Sequence, residues 1–222
     1  MFHLNKLAIA IVCLSPVLAI SSVSASELKY DYVELGGSFG KTELNILGKR
    51  ADFSSKSLNA TFQYSPSEGI YIKAFASRLK VDDDANISAF KAKTDSTSTA
   101  FGAVIGLYTP LADNIDFRAG IGATRENNDF SSTLTLGSVT SAQKTRRNDT
   151  SLYVEAGLKI GLDDWGDFDL LFSRENDANY FTVDGNLPLS ESLGLDVGYT
   201  YSPDGKDRER FGTWNLGVRY YF

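Results

Sequence analysis

Hydrophobic and polar residues alternate with a period of two over much of this chain. The alternation is cleanest in residues 214–222, where the apolar positions share one face of an extended strand: Trp214, Leu216, Val218, Tyr220 and Phe222. The same pattern recurs upstream, with almost no helical periodicity that would provide a covering layer. A soluble strand this apolar on one face needs a packed core against it. The pattern therefore indicates that the apolar faces meet lipid.

Ten segments carry the alternation. Six are clean, at residues 33–39, 58–64, 101–107, 115–124, 152–162 and 193–201, and residues 214–222 make a seventh. Weaker candidates lie at residues 70–79, where the outward face is ambiguous, 168–174 and 179–184. A tilted strand crosses a membrane with roughly 9 to 11 residues. We predict an all-β fold, a closed antiparallel transmembrane β-barrel of ten strands, or of eight if the two strands around 175–178 are misread.

Short turns and long connections alternate along the chain. The short turns are predicted at residues 66–70, 110–115, 163–167 and 188–193, and the loops of the outer side at 40–56, 80–97, 126–150, 175–178 and 202–211. Short periplasmic turns with longer extracellular loops are typical of membrane barrels. We expect 126–150 to continue two strands as a hairpin bent near Gly137. Leu134, Leu136 and Val139 would then lie on an edge open to partner strands.

The N-terminus has the pattern of a secretory signal peptide. Lys6 precedes an apolar run over residues 7–20, and Val23-Ser-Ala25 provides the small residue expected before a cleavage site. The run is short for a spanning helix of about 20 residues. We predict a signal peptide at 1–25 and a single barrel domain at 26–222.

Removal of the signal peptide changes the chemistry available to the chain. Met1, His3 and Cys13 are the single residues of their types and all lie within it, and loss of Lys6 changes the net charge from −6 to −7. A thiol nucleophile, an imidazole base and a disulfide would then be lacking. We expect neither an enzyme nor a cofactor or metal site. Nucleic acid is an unfavourable partner for an acidic, exported chain.

The positions between the outward residues carry both signs of charge. The predicted inward charges are Glu34, Asp116, Arg118, Glu155, Lys159, Asp196 and Arg219. A barrel of eight to ten strands is narrow, so opposed charges should pair and largely plug it. The alternative is a narrow diffusion pore whose selectivity these charges set.

Other charges fall in the predicted outer loops. Two basic sets could contact lipopolysaccharide phosphates or could be solvated charge: Lys144, Arg146 and Arg147, and Lys206, Arg208 and Arg210. Aromatic residues near strand ends predict interfacial girdles, among them Tyr30, Tyr32, Tyr64, Tyr108, Trp165, Tyr199, Tyr201, Trp214, Tyr220 and Phe222.

The alternating C-terminal strand that ends at Phe222 resembles the last strand of bacterial outer-membrane β-barrels. The whole architecture is similar to the small Gram-negative outer-membrane barrels, often described as porin-like or as OmpA-like transmembrane domains. The resemblance implies an outer-membrane location, surrounding lipid and lipopolysaccharide, and recognition of the terminal aromatic by the barrel assembly machinery. Enzymes among such barrels use a histidine. The expected role is structural or surface interaction with a possible surface ligand, with a narrow pore as the alternative.

Overall fold

The computed structural model describes residues 28–46, 49–87, 90–136, 139–175, 178–203 and 211–222. The predicted signal peptide at 1–25, Gly137, and the basic residues Lys206, Arg208 and Arg210 lie outside these ranges. In the described part of the chain, no helix has the length and hydropathy needed to cross a bilayer.

Ten strands form the fold, which confirms the ten-stranded prediction over the eight-stranded alternative. Each pairs antiparallel with its neighbours in sequence, and β1 pairs with β10 to close the sheet into a barrel. The strands are β1 Tyr32–Ile46, β2 Lys49–Ser67, β3 Ile70–Ile87, β4 Phe90–Ala112, β5 Ile115–Leu136, β6 Val139–Gly161, β7 Asp167–Glu175, β8 Ala178–Pro188, β9 Leu193–Ser202 and β10 Phe211–Tyr221.

The first six strands are longer than the alternation of apolar residues predicted. They contain 15 to 23 residues, so the predicted loops at 40–56 and 80–97 are wrong: the described residues of both segments are paired strands. The reason is that an apolar outward face is needed only inside the membrane. Beyond it a strand pairs equally well with polar side chains on both faces, and many of these positions are threonine or serine, which suit strands or tolerate them.

The hairpin expected from residues 126–150 is present, because β5 and β6 stay paired as far as Leu136 and Val139. Its edge differs from the expectation. Leu134 on β5 lies between Ala92 of β4 and Ser141 of β6, so β5 is an inner strand. The open edge belongs to β6, whose pairing with β7 begins only at Tyr153.

Short connections at one end of the barrel match the four predicted turns. Residues 68–69, 113–114 and 189–192 connect strands there, and a short 3₁₀ segment at Asp163–Trp165 connects β6 to β7. Gly69 and Gly166 have φ values of 79° and 111°, which residues with a side chain rarely adopt. We call this the turn end, and the other the hairpin end.

The barrel is apolar outside and polar inside. Leu35, Leu58 and Leu216 are 64%, 72% and 52% exposed, whereas Asp116, Lys159 and Arg219 are 0%, 1% and 2% exposed. Three tyrosines that the sequence predicted in the interfacial girdles instead face the interior of the barrel. Tyr30 and Tyr32 are buried inside, and Tyr108 stacks on Tyr30.

Candidate functional site

A cluster around Arg219 joins the two edges of the sheet where the barrel closes. The guanidinium Nη2 lies 3.0 Å from Glu34 Oε2 on β1, 2.8 Å from Asp196 Oδ1 on β9 and 3.5 Å from Asp184 Oδ2 on β8. Its Cζ also lies 4.3 Å from the ring centroid of Tyr32. One arginine therefore contacts carboxylates from three strands, which a planar guanidinium with several donors can do.

The same three carboxylates converge closely enough to be a candidate cation site, because oxygens of Glu34, Asp184 and Asp196 lie within 4.8 Å of one another. The Arg219 guanidinium contacts all three. It places one positive charge among the three carboxylates, so they form an internal ion-pair cluster.

A second group of charges continues the network towards the middle of the barrel. Lys159 Nζ donates to Asp167 Oδ1 at 2.7 Å and lies 3.8 Å from Asp169 Oδ2. Arg118 lies 3.3 Å from the other oxygen of Asp169. Asp167 connects this group to the first cluster, because it also lies 3.6 Å from Arg219. Ion pairs thus run without interruption from β5 through β7 to β10 and β1.

A third group on β3 and β6 surrounds Glu155. Lys73 is paired with its carboxylate, and the hydroxyls of Tyr71 and Tyr153 donate to it at 2.8 and 3.0 Å. Glu155 is 3% exposed and Lys73 is 8% exposed. A buried carboxylate with a cation and two hydroxyl donors has its hydrogen-bonding capacity largely satisfied, so this group is tolerated in the buried interior.

Glycines opposite the large interior side chains make this packing possible. A Cβ built at Gly106 would lie 2.2 Å from the Tyr71 ring, and one at Gly198 would lie 1.9 Å from an Asp184 oxygen. Both positions are inward, so their missing side chains are replaced by the tyrosine and the carboxylate. The inward glycines therefore accommodate neighbouring side chains and do not widen a channel at these two levels.

The turn end of the barrel is crossed by residues 28–31, which we call the N-terminal strap. Its Tyr30 hydroxyl donates to Asp116 Oδ2 at 2.9 Å, and its ring stacks on Tyr108 with centroids 3.9 Å apart. Gln63 donates to the Tyr30 carbonyl at 3.2 Å, and Lys29 Nζ donates to the Glu191 carbonyl at 2.6 Å. The strap thereby connects β2, β4 and β5 to the turn between β8 and β9.

The seven charged residues that the sequence predicted to face inward all lie in this interior: Glu34, Asp116, Arg118, Glu155, Lys159, Asp196 and Arg219. Sequence reasoning missed Lys73, Asp167, Asp184 and Tyr30. Ile70-Tyr-Ile72 is apolar on both faces, which hid the orientation of Lys73. Asp167 was placed in a turn. Alternation applied to Phe181 and Val183 would have indicated Asp184.

The predicted loop cations lie on the far part of β6. Lys144, Arg146 and Arg147 are exposed, and two of them form ion pairs along the hairpin, Arg146 with Asp129 at 3.5 Å and Arg147 with Asp149 at 2.6 Å. The structure does not bring them near the apolar band, because residues 139–150 lie beyond it. On the turn side, the outward residues of β10 end at Phe222, whose ring stacks on Phe62 with centroids 6.0 Å apart.

A closed antiparallel sheet with an apolar exterior and a hydrogen-bonded, charged interior defines a transmembrane β-barrel. No protein-family model matches the sequence, and no curated protein matches it. Among solved structures, the chain is similar to the translocator domain of the autotransporter NalP from Neisseria meningitidis, at 12% identity and a TM-score of 0.52, over 99% of this chain and 96% of that one. At this identity the likeness extends to the fold alone.

Two further solved structures are similar over most of their length. The beta domain of the Bordetella autotransporter BrkA has 10% identity and a TM-score of 0.49, over 88% of this chain and 100% of that one. Neisserial surface protein A has 17% identity and a TM-score of 0.40, over 86% of this chain and 96% of that one.

Proposed function

We propose that this protein is an integral outer-membrane β-barrel of a Gram-negative bacterium, exported with a cleaved signal peptide at residues 1–25. The turn end, with the strap and Phe222, faces the periplasm, and the hairpin end faces the outside. Support comes from the apolar outer band, the short turns at one end and the long hairpins at the other.

The barrel acts as a surface-interaction protein with a plugged interior. The observation that carries this role is the set of buried ion pairs inside the barrel, Lys73 with Glu155 in one group, and Arg118 with Asp169 and Arg219 with Glu34 in the other. Side chains that are buried and paired across the interior leave little room for a solute, and the N-terminal strap closes the turn end below them. Activity is therefore assigned to the part of the molecule outside the membrane.

That outer part is a sheet formed by the extensions of β3, β4, β5 and β6. Its longer open edge is β6 from Val139 to Thr150, where no described strand pairs on the side away from β5. The edge presents unpaired backbone donors and acceptors over a length suited to strand addition by an extended peptide. Lys144, Arg146 and Arg147 lie along it and would favour an acidic partner segment.

The plugged interior is tested by refolding the protein into a planar phospholipid bilayer and recording current in about 1 M salt, where the Debye length is about 3 Å and surface charge is screened. We expect no discrete conductance steps from protein that a heat-dependent gel shift shows to be folded. Regular steps of reproducible size would overturn the plugged interior.

A narrow pore is the second candidate, because the interior is charged and its acids outnumber its bases. The acids of the network are Glu34, Asp116, Glu155, Asp167, Asp169, Asp184 and Asp196, and the bases are Lys73, Arg118, Lys159 and Arg219. A pore so lined conducts cations in preference to anions. Arg118→Gln would then move the reversal potential further towards that of the cation, and an unchanged potential would exclude this lining.

A further inference from the structure

Four basic side chains face outward on β1, β2 and β3, next to the apolar band at the hairpin end. They are Lys41, Lys56, Arg78 and Lys80, all exposed, and we call them the basic patch. Alternation along each strand places them on the outer face, because Ser55 and Val81 beside them are buried in the interior. The patch is separate from the cations on the far part of β6.

The sheet register brings these like charges together. Lys56 is the direct partner of Lys80, and Arg78 is two residues further along β3, opposite Leu58. Lys41 is opposite Ser54, two residues from Lys56 on the other side. Neighbouring strands lie about 4.8 Å apart and two residues span about 6.6 Å, so three strands carry these charges over an area on the order of 10 Å across.

Direct cross-strand pairing of two lysines is unfavourable in isolation. Lys41 and Lys80 each have an interaction with another group of the protein, which leaves Lys56 and Arg78 as the two cations to consider. Among the described residues, neither the Lys56 nor the Arg78 side chain has a hydrogen bond or an ion pair. An arrangement of this kind is stabilised when an anion from outside the protein binds between the cations. Arginine and lysine side chains that converge from adjacent strands are suited to phosphate oxygens.

The surface directly below the patch is apolar. Phe39 is the strand partner of Lys56, Leu58 is the partner of Arg78, and Phe101 follows on β4 opposite Ala76. Phe39, Leu58 and Phe101 are 55%, 72% and 47% exposed. A cationic row next to exposed apolar side chains matches an amphiphile, with its anionic head on the cations and its acyl chains along the barrel wall.

We propose that the basic patch binds the phosphates of a glycolipid in the outer leaflet, with the acyl chains packed on Phe39 and Leu58. The proposal rests on the proposed function, because the hairpin end faces the outer leaflet only if the turn end faces the periplasm. Two phosphates on a sugar headgroup suit the spread of the patch better than one. The occupant is thus a lipid A type of molecule with two phosphates.

The test is native mass spectrometry of the refolded protein in detergent, titrated with lipid A that carries two phosphates. We expect one retained lipid on the wild-type protein, and about tenfold more lipid for half occupancy of the double variant Lys56→Gln, Arg78→Gln, since each exposed ion pair contributes up to severalfold in affinity. The matched control, Lys144→Gln with Arg147→Gln, removes the same charge far from the apolar band. It should bind like the wild type.

Further variants and ligands distinguish a specific lipid site from a general effect of charge. Swapping the two cations, Lys56→Arg with Arg78→Lys, should keep binding, and dephosphorylated lipid A should lose it. Equal loss in both double variants would overturn the site as a general charge effect, and so would wild-type binding by Lys56→Gln, Arg78→Gln. Inorganic pyrophosphate that displaces the lipid at equal concentration would overturn the lipid as the occupant.

Folding is measured on the same samples by the heat-dependent gel shift, because the patch residues are exposed and their loss should not unfold the barrel. If the wild-type protein fails to insert into membranes, the proposed function fails. If it inserts and retains no lipid A, this inference alone fails.

Discussion

At the scale of single residues, the interior of this protein contains paired charges next to buried side chains such as Phe53, Tyr71 and Val104. Arg219 contacts carboxylates on four strands and is 2% exposed. Removal of one partner from a buried ion pair leaves the other charges uncompensated, which costs more than the pair itself contributes. Mutation of the buried charged residues should therefore lower the free energy of unfolding more than mutation of the exposed leucines of the outer band.

Arg219→Met, which keeps the volume and removes the charge, should lower the free energy of unfolding by about 3–5 kcal/mol. The reason is that Glu34, Asp184 and Asp196 would remain buried together. Urea titration in lipid vesicles, followed by tryptophan fluorescence, measures the change. Lys144→Met provides the control, since Lys144 is exposed, and its value should stay within about 0.5 kcal/mol of the wild type. A similar loss in both variants would argue against the network.

Phe222 offers a second test at this scale, because its ring has both a structural contact and a proposed role in assembly. Phe222→Ser and Phe62→Ser each remove the same stacked ring pair, so each should cost about 1 kcal/mol beyond the lost apolar area. If the terminal aromatic is recognised by the assembly machinery, Phe222→Ser alone should reduce the folded protein in outer membranes. Equal reduction by the two variants would assign the effect to stability.

At the scale of elements, each of the long strands β3 to β6 has one part in the barrel and one part in the outer sheet. The lower parts of β3 to β6 belong to the barrel, and their extensions form a sheet that pairs only within itself. Antiparallel hairpins with consecutive strands form locally, so the extensions need no contact with the barrel interior to fold. Their removal should leave the barrel intact.

This is tested with a variant in which the hairpin of β5 and β6 is shortened by replacing residues 129–146 with Asn-Gly. The replacement joins Asn128 to Arg147, which are partners in the sheet. Asn-Gly favours the two-residue turn that this connection needs. We expect the variant to fold with the heat-dependent gel shift of the wild type. Loss of the folded band would show that the extension is part of the barrel's stability.

The same variant tests the open edge of β6. A random peptide library panned on the wild-type protein should yield extended, acidic peptides that bind the shortened variant at least about tenfold more weakly, since the variant lacks most of the edge and two of its three cations, Lys144 and Arg146. A matched control shortens the hairpin of β3 and β4 instead, replacing residues 82–95 by Asn-Gly, and leaves most of the β6 edge in place. Peptides that bind both variants equally well would contradict a role for the edge.

At the scale of the whole molecule, the proposed plug has two parts. The Arg219 cluster and the neighbouring charges lie inside the barrel, and the N-terminal strap crosses the turn end through Tyr30, Tyr108 and Asp116. If each part by itself is sufficient to stop conduction, removal of one part leaves the current unchanged.

We therefore expect Tyr30→Ala and Arg219→Ala to be silent in planar bilayers as single variants and to conduct as a double variant. The current should be carried by cations, because the carboxylates of the interior remain. Single-channel recording with a reversal-potential measurement checks both statements, on protein shown to be folded. Silence of the folded double variant would show that the remaining charges alone block the barrel, and conduction by Tyr30→Ala would show that the strap is the one effective barrier.

The sequence by itself determined the all-β class, the ten membrane strands, the short turns and the inward face of residues such as Arg118, Glu155 and Arg219. Alternation with a period of two is sufficient for this, because each residue of a strand points to one side or the other. Only the tertiary structure decided the partners. Arg118 and Asp169 meet across an intervening strand, and Tyr30 enters the barrel from a segment outside any strand.

The extent of the strands beyond the membrane was also decided by the tertiary structure. Apolar alternation reports contact with lipid, and it ceases where the lipid ceases, although backbone pairing continues as far as Ile87 and Phe90. The basic patch has the same origin. Lys56 and Lys80 are separated in sequence, and only the register of β2 and β3 makes them neighbours, because sheet pairing joins positions that no local pattern connects.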